Sequence, residues 1–518
     1  MQVSQPWTPT PGQTWPPPAM ADLWATMTVW DAWWTGTPAA LRSAMAVPTS
    51  RPTNHPSQYR GGIVGRIARS FWGRPLPEGD RPSRGDLHLP LASDLARTSA
   101  DILYSDPPTI TTTVPTAQDL ITQYIEDGIT DTLMGGAELG AALGGRYHRA
   151  TTDPTHTQGC PFVTTHGPDE VIPVFQWGRL TAATIISEFT DSAHPGVVWR
   201  HLEDHWTDQG GYGHVRHTLY EGANNLLGRP VPLTDRPETA SLKVDPTGEW
   251  VGSGLTPGLA VVYVPNLTPQ RAWRKHPVGR YLGRSDIDGL TSLMDALDET
   301  WSSWMRDLRL GKARILAARS VLEGGTGGQP YTMDLDQEVF TALDVLDKGE
   351  HTPIEQVQFA IRVTEHEQTV RALTETIINQ AGFSLGTFQE SSDTDITATE
   401  VKAREKRTLT TRGRKAAHEK RALTALLTKM LAIQQVIPVD LTVTFPEVVQ
   451  ENPLEQAVSI AAVKNASLMS MRVGVQLLHP SWDASTVDAE VAAIRDEMVT
   501  PIEDPTTWHP DYDDDRTR

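Results

Sequence analysis

The side chains able to do chemistry are present, but few form complete sets. Residues 324–329, GGTGGQ, have the glycine content of a phosphate-cradling loop, yet no Lys-Ser/Thr pair follows to reach phosphate and magnesium. A mobile hairpin tip accounts for them as well. His366-Glu367 is half of a zinc-protease motif whose second imidazole must stand four residues on, on the same helix face, and that position is Val370. His201, His205, His214 and His217 could converge on one metal across strands, against the plainer reading of hydrogen-bonded strand histidines. Asp334 and Asp336 offer two carboxylates to a cation. No Gly-x-Ser-x-Gly elbow occurs, and Cys160, the single cysteine, has no catalytic setting and can form neither an intrachain disulfide nor a cysteine zinc cluster. The expectation is a protein without catalytic residues, bound metal or cofactor, assembled in a reducing environment.

The one concentrated feature is charge. Residues 396–438 carry Lys402, Arg404, Lys406, Arg407, Arg412, Arg414, Lys415, Lys420, Arg421 and Lys429 against Glu400, Glu405 and Glu419, a net +7 in a chain of −19. Thr397 and Glu400 have capping-box spacing, Asp393 and Asp395 suit the positive end of a helix dipole, and the next proline is Pro438. The spacing predicts a helix of roughly 40 residues, about 60 Å long. Such a helix pairs either with acidic neighbours, including those of other subunits, or with DNA. The remaining −26 argues against a protein that grips nucleic acid over most of its surface, because phosphate affinity comes from Lys and Arg.

The elements that would position these residues read as α+β, mainly α. At 518 residues the chain suggests about three domains, with no apolar run long enough for a membrane span and no secretory signal pattern, so neither secretion nor a membrane is expected. Residues 1–20, rich in Pro and Trp, read as a flexible arm. Leu23, Met27, Trp30 and Trp34 recur at helical spacing, residues 48–56 read as a linker, and helices are expected within 87–108 and over 116–143. Between 171 and 264, β-branched and aromatic runs predict an antiparallel sheet. Ser285 and Asp288 open an amphipathic helix with Ile287, Leu290, Leu293, Leu297, Trp301, Trp304 and Leu308 on one face. VQFAIRV, 357–363, alternates as a strand; a capping box at Thr364 and Glu367 then starts a helix ended by Gly382. Beyond Pro438 follow a strand in VDLTVTF, small helices, and an acidic flexible tail, 504–518.

FWGRPLPEGDRPSRGDLHLPLASDLARTSADILYSDPPTI, VIPVFQWGRLTA, RHLEDHW and HTLYEGANNLLG resemble the portal proteins of long-tailed bacteriophages, especially those of actinobacteria. DIDGLTSLMDALDETWSSWMRDLR and AGFSLGTFQESSDTDITATEVKAREKRTLTTRGRK resemble the same family's central and tunnel-proximal segments, in the same order, from about 71 to 498.

The resemblance implies the portal fold, with wing, stem, clip and crown, assembled as a ring of twelve copies at one capsid vertex. It implies a wing over 21–284, stem helices at 285–310 and 364–382 flanking a clip at 311–363, a tunnel loop at 383–395, a long wing helix and return strand at 396–449, and a crown at 450–503. Leu385, Gly386, Thr387, Phe388, Gln389, Glu390, Ser391, Ser392 and Asp393 would form the tunnel loop facing DNA. Lys402, Arg404, Lys406, Arg407, Arg412, Arg414 and Lys415 would contact neighbouring subunits or DNA, and Leu297, Trp301 and Trp304 would pack the stem. The implied partners are double-stranded DNA passing through, the major capsid protein, the terminase large subunit that hydrolyses ATP, and a head–tail adaptor. The implied location is the virion, with host cytoplasm during assembly. Two other classes compete: a metal-dependent DNA-processing enzyme built on Asp334 and Asp336, and a capsid or tail shell protein without a DNA channel.

Overall fold

The computed structural model describes residues 6–45, 87–153, 157, 159–310, 314–317, 354–357, 362–388, 405–437, 440–446, 460–464, 469–479 and 482–498. They fall into two compact units. The larger comprises residues 1–391 and 405–446, the smaller residues 392–404 and 447–518.

In the larger unit, α1 (Pro18–Thr35) and α2 (Pro38–Met45) lead to α3 (Leu91–Tyr104). Leu23, Met27 and Trp30 of α1 are buried as their spacing predicts, and join Leu91 and Leu95 of α3 in the main core. The first residues depart from expectation: residues 6–17 are not a free arm. Gly12 N–H donates to Gly228 O at 2.7 Å, Trp15 N–H to Asn225 O at 2.8 Å, and Leu227 N–H to Gln13 O at 3.0 Å. Trp15 lies between Trp7 and Trp24, with the Arg200 guanidinium 4.6 Å from its ring centroid. Three indoles bury enough apolar area to offset the ordering of a proline-rich strap.

After β1 (Thr109–Thr111), the expected helix over 116–143 is two helices, α4 (Pro115–Glu126) and α5 (Ile129–Leu143), separated by a turn at Asp127 and Gly128. Next come β2 (Gly145–Thr152), β3 (Pro161–His166), β4 (Val171–Gln176), β5 (Arg179–Thr190), β6 (Val198–Thr207), β7 (Gly213–Ala223), β8 (Leu226–Val231) and β9 (Val261–Pro265). β4 to β8 form a five-stranded antiparallel meander in sequence order, and β3-β2-β9 form a second antiparallel sheet. Gly144, at φ 91°, ends α5 where the chain passes Gly283; a Cβ on Gly144 would meet Gly283 O at 2.8 Å, so only glycine fits both the turn and the crossing.

The first of the two central helices, α6, spans Thr291–Leu310 and not 285–310. Ile287 and Leu290 are buried as expected, but in a turn preceding the helix: the Ser285 hydroxyl accepts Ile287 N–H and donates to Ala142 O. β10 (Arg314–Ala317) pairs antiparallel with β11 (Ile354–Val357), so of VQFAIRV only Val357 is in a described strand, and 358–361 lie outside the described residues. Residues 324–329, Asp334 and Asp336 lie outside them as well. The second central helix, α7, spans Val363–Ala381 and follows Arg362 without a side-chain cap, so the Thr364/Glu367 box does not form. Gly382, at φ 99°, ends it as read from the sequence.

The long helix α8 is described over Lys406–Ile433, 28 residues, and ends four residues short of 437, where Gln435 takes φ 59°. Its expected start at Thr397 and Glu400 is outside the described residues. β12 (Thr442–Thr444) then pairs with β1. In the smaller unit α9 (Met471–Leu478), capped by the Ser470 hydroxyl, packs with α10 (Ala484–Met498) through Val475, Val487 and Val491.

Candidate functional site

α8 is the element on which the site turns, and its cations divide into two sets. Arg412, Lys415 and Lys429 are buried. The Arg412 guanidinium donates to Ile102 O at 2.6 Å and Pro446 O at 2.7 Å. The Lys415 ammonium donates to Ser99 and Asp286, and Asp286 also accepts from Asn266 Nδ2 at 2.8 Å. Burial pulls the Lys415 ammonium below its ordinary value, and Asp286 opposes that shift. Lys429 meets no carboxylate among the described residues: its ammonium reaches Thr256 Oγ1 at 2.6 Å, Gly258 O at 2.9 Å and Pro257 O at 3.1 Å, and burial lowers it to about 8. Facing them, Glu419 accepts from Arg146, whose Nε lies 2.9 Å from His148 Nε2. Burial lowers Arg146 to about 10 and holds His148 well below its ordinary range. An expected ladder of cations for neighbours or DNA is thus partly a set of internal ties. Arg412 and Lys415 are spent on α3, the turn before α6 and the chain after β12, and are corrected to intrachain roles.

Lys406, Arg407 and Arg414 are exposed, as are Lys420 and Arg421. Arg414 also reaches Thr268 O at 2.5 Å. Lys402 and Arg404 lie outside the described residues, with Gln389, Glu390, Ser391, Ser392 and Asp393.

Of the expected loop, Leu385, Gly386, Thr387 and Phe388 form one tight helical turn between α7 and α8. Leu385 and Phe388 pack against the main core, with Phe388 edge-on to the buried Phe383 at 5.9 Å. Thr387 donates to Glu405 Oε2 at 2.9 Å and lies 2.7 Å from Thr408 Oγ1, while Ser384 N–H donates to Thr408 Oγ1 at 2.8 Å. These four residues are docked on α8 and the main core, with Leu385 and Phe388 half-buried.

In the central helix pair, Leu297 is buried, whereas Trp301 and Trp304 are half-buried. The two indoles stack at 5.2 Å, and His366 of α7 stacks on Trp304 at 5.9 Å with its Nε2 2.9 Å from Asp307. His366, half of the zinc-protease pattern, is therefore a rung in a ring ladder joining α6 to α7.

The strand histidines do not meet at a metal-like centre; among the described residues no cluster of His, Cys, Asp or Glu has that geometry. His201 Nε2 and His217 Nδ1 are 3.0 Å apart in a stacked pair, His205 Nε2 lies 2.7 Å from Glu203, and His214 stacks on Trp206. Burial lowers His201 to about 4 and His217 in the same direction. Burial alone would raise Glu203, but Arg149, His205 and His217 override it and hold the carboxyl well below its usual range. This is a hydrogen-bonded polar network inside a sheet, in which His205 Nδ1 is buried with no partner among the described residues.

Two features escaped sequence reasoning. One is the sheet β3-β2-β9, whose middle strand β2 buries Arg146 and His148 and so hides its period; the other is the Trp15 strap on β8.

The family profile described as "Phage portal protein, SPP1 Gp6-like" matches residues 77–499. The chain therefore belongs to the SPP1 Gp6-like phage portal protein family, whose members are structural proteins of the head–tail connection. No curated protein matches the chain significantly. Among solved structures, a chain from "Neck of native GTA particle computed with C12 symmetry" aligns over 86% of this chain and 98% of its own at 12% identity and a TM-score of 0.40. No described helix is long and apolar enough to cross a membrane.

Proposed function

We propose that the protein assembles as a closed ring, expected to hold twelve copies, at one capsid vertex, where double-stranded DNA passes through during packaging and ejection. The observation that carries this is the family match over 77–499. On this reading 21–284 form the wing, α6 and α7 the stem, 311–363 the clip, 383–395 the tunnel loop, α8 the long wing helix, and 450–503 the crown. Major capsid protein, terminase large subunit and head–tail adaptor would dock on the assembled ring, in the virion and beforehand in host cytoplasm. Exposed Lys406, Arg407 and Arg414, with Lys402 and Arg404, would meet neighbouring subunits or DNA.

The docked Leu385–Phe388 turn supports a modified view of the tunnel loop. This turn would anchor the loop to α8, leaving Gln389, Glu390, Ser391, Ser392 and Asp393 as the segment that approaches DNA. Their two carboxylates would keep the rim from holding phosphate, since even one cation per copy, repeated around a ring, makes a salt-sensitive collar where sliding is needed.

Native mass spectrometry of the purified chain, alongside incubation of DNA with the protein and magnesium, tests the proposal. It predicts one closed oligomer near twelve copies and no cleavage. Magnesium-dependent cleavage would favour the DNA-processing alternative, and an open-ended series of masses would favour a shell protein.

A further inference from the structure

Charge in the larger unit is sorted by segment to an unusual degree. Between Arg97 and Arg146 there is no Lys or Arg and there are seven acids; between Glu249 and Asp286 there is no acid and there are five cations. The two segments meet where Gly283 and Ser285 cross the end of α5, and α8 contacts both of them. α8 packs its Leu423, Leu427 and Met430 stripe against Ala117, Ile121 and Tyr124 of α4. At 100° per residue, Arg407, Arg414 and Arg421, seven apart, lie on the far side of α8 from that seam. By the same rotation Asp119 and Glu126 lie on the far side of α4, continued by Asp127 and Asp131 at the turn into α5, and all four are exposed.

The basic side extends beyond α8. Arg414 donates to Thr268 O, and Thr268 Oγ1 is 3.2 Å from His418 Nε2, which brings the acid-free segment against the helix. Burial, then the nearby Arg421 and Arg414, holds His418 below its ordinary value; burial, then Arg271, does the same to Arg284. Among the described residues no carboxylate lies within ion-pair distance of Arg271, Arg414 or Arg421, and no cation within that distance of Asp119, Glu126, Asp127 or Asp131. Asp286 and Asp288 oppose the shift at Arg284, yet in a chain of −19 the cations Arg271, Arg414 and Arg421, without an ion-pair partner among the described residues, are complementary to the acidic face of α4 on another copy.

We infer that the basic face formed by α8 and residues 266–285 of one copy docks on the acidic outer face of α4 and its turn into α5 on the next copy. The contact is head-to-tail: each chain offers one face of each sign, so pairing propagates in one direction and closes as a ring when the rotation permits. The inference rests on the ring reading above and names the surfaces that make the ring. Because both faces are exposed and ionic, screening acts on them directly.

Charge reversal tests it. The chain with Arg414→Glu and Arg421→Glu should need more than about tenfold higher concentration for half-assembly, since like charges then face each other. The unfolding temperature of its monomer should fall only slightly, because both side chains are exposed and only the surface hydrogen bond from Arg414 to Thr268 O is lost. The chain with Glu126→Arg and Asp127→Arg should fail in the same way, and the two variants mixed should assemble into closed rings of alternating copies, since unaltered faces then pair with unaltered ones and reversed faces with reversed ones. All four changes in one chain should restore closed rings. Rings that form normally in either reversal variant overturn the interface while leaving the ring reading intact. So does failure of the fourfold variant to close while its monomer stays folded. If reversal at Arg414 and Arg421 abolishes binding to a short DNA duplex but not assembly, the face is a phosphate surface and the inference is wrong. A wild-type chain that stays monomeric at every concentration overturns the ring reading and this interface together.

Discussion

A buried ion pair is tied to stability through what its removal leaves behind. Arg146 and Glu419 are both almost fully buried, and Arg146 also meets His148. Glu419→Ala should therefore cost about 3–5 kcal/mol in denaturant unfolding, most of it from stranding a desolvated guanidinium. Arg146→Met with Glu419→Met should recover most of that loss, because no charge is then left unpaired. A Glu419→Ala loss below about 1 kcal/mol would show that Arg146 finds water or another acceptor. The same reasoning separates the cations of α8: Arg412 and Lys415, held by Ile102, Pro446, Ser99 and Asp286, are framework, and Arg407, Arg414 and Arg421 are surface. No periodicity in the sequence makes that division, because the acceptors are backbone carbonyls and side chains more than a hundred positions away or beyond Pro438.

At the scale of elements, the strap formed by residues 6–17 closes the β8 edge of the five-stranded sheet. An open edge strand exposes unpaired N–H and C=O groups, and the strap satisfies several of them while laying Trp15 over Arg200. Trp15→Ala should cost about 3 kcal/mol in thermal or denaturant unfolding, and deletion of residues 1–17 should add aggregation through the uncovered edge. Unaltered stability and solubility in both would return the segment to the status of a free arm.

The helices whose apolar stripes repeat at three and four residues were legible: α1 through Leu23, Met27 and Trp30, and α6 through Leu293 and Leu297. So were the strands of the five-stranded sheet and the stop at Gly382. What the sequence hid has physical causes. Ile287 and Leu290 continue the α6 stripe but precede the helix, since Ser285 is tied to Ala142, 143 positions away. The Thr364/Glu367 spacing is equally good for residues inside a first turn, and α7 begins one residue earlier. Proline and tryptophan in residues 6–17 resemble a disordered composition until the groove that receives them is known. Of the expected site, Leu385, Gly386, Thr387 and Phe388 fell where a connection between two helices was predicted, but their docking on Glu405 and Thr408 depends on contacts no local pattern encodes.

In the whole molecule, net charge is sorted between α8 and the rest of the chain. The family match supplies the class of protein, and the acid-rich balance outside α8 fits a channel that must let DNA slide and not bind it. Buried cations fix α8 inside each copy, and on the proposed reading the exposed ones meet the next copy. Electron microscopy of the purified protein tests the central claim most directly. The account predicts a turbine-like closed ring with a central hole wide enough for a DNA duplex, α6 and α7 near the axis, and the residues after Phe388 facing the hole. Monomers, open filaments or a ring without a central channel would contradict it.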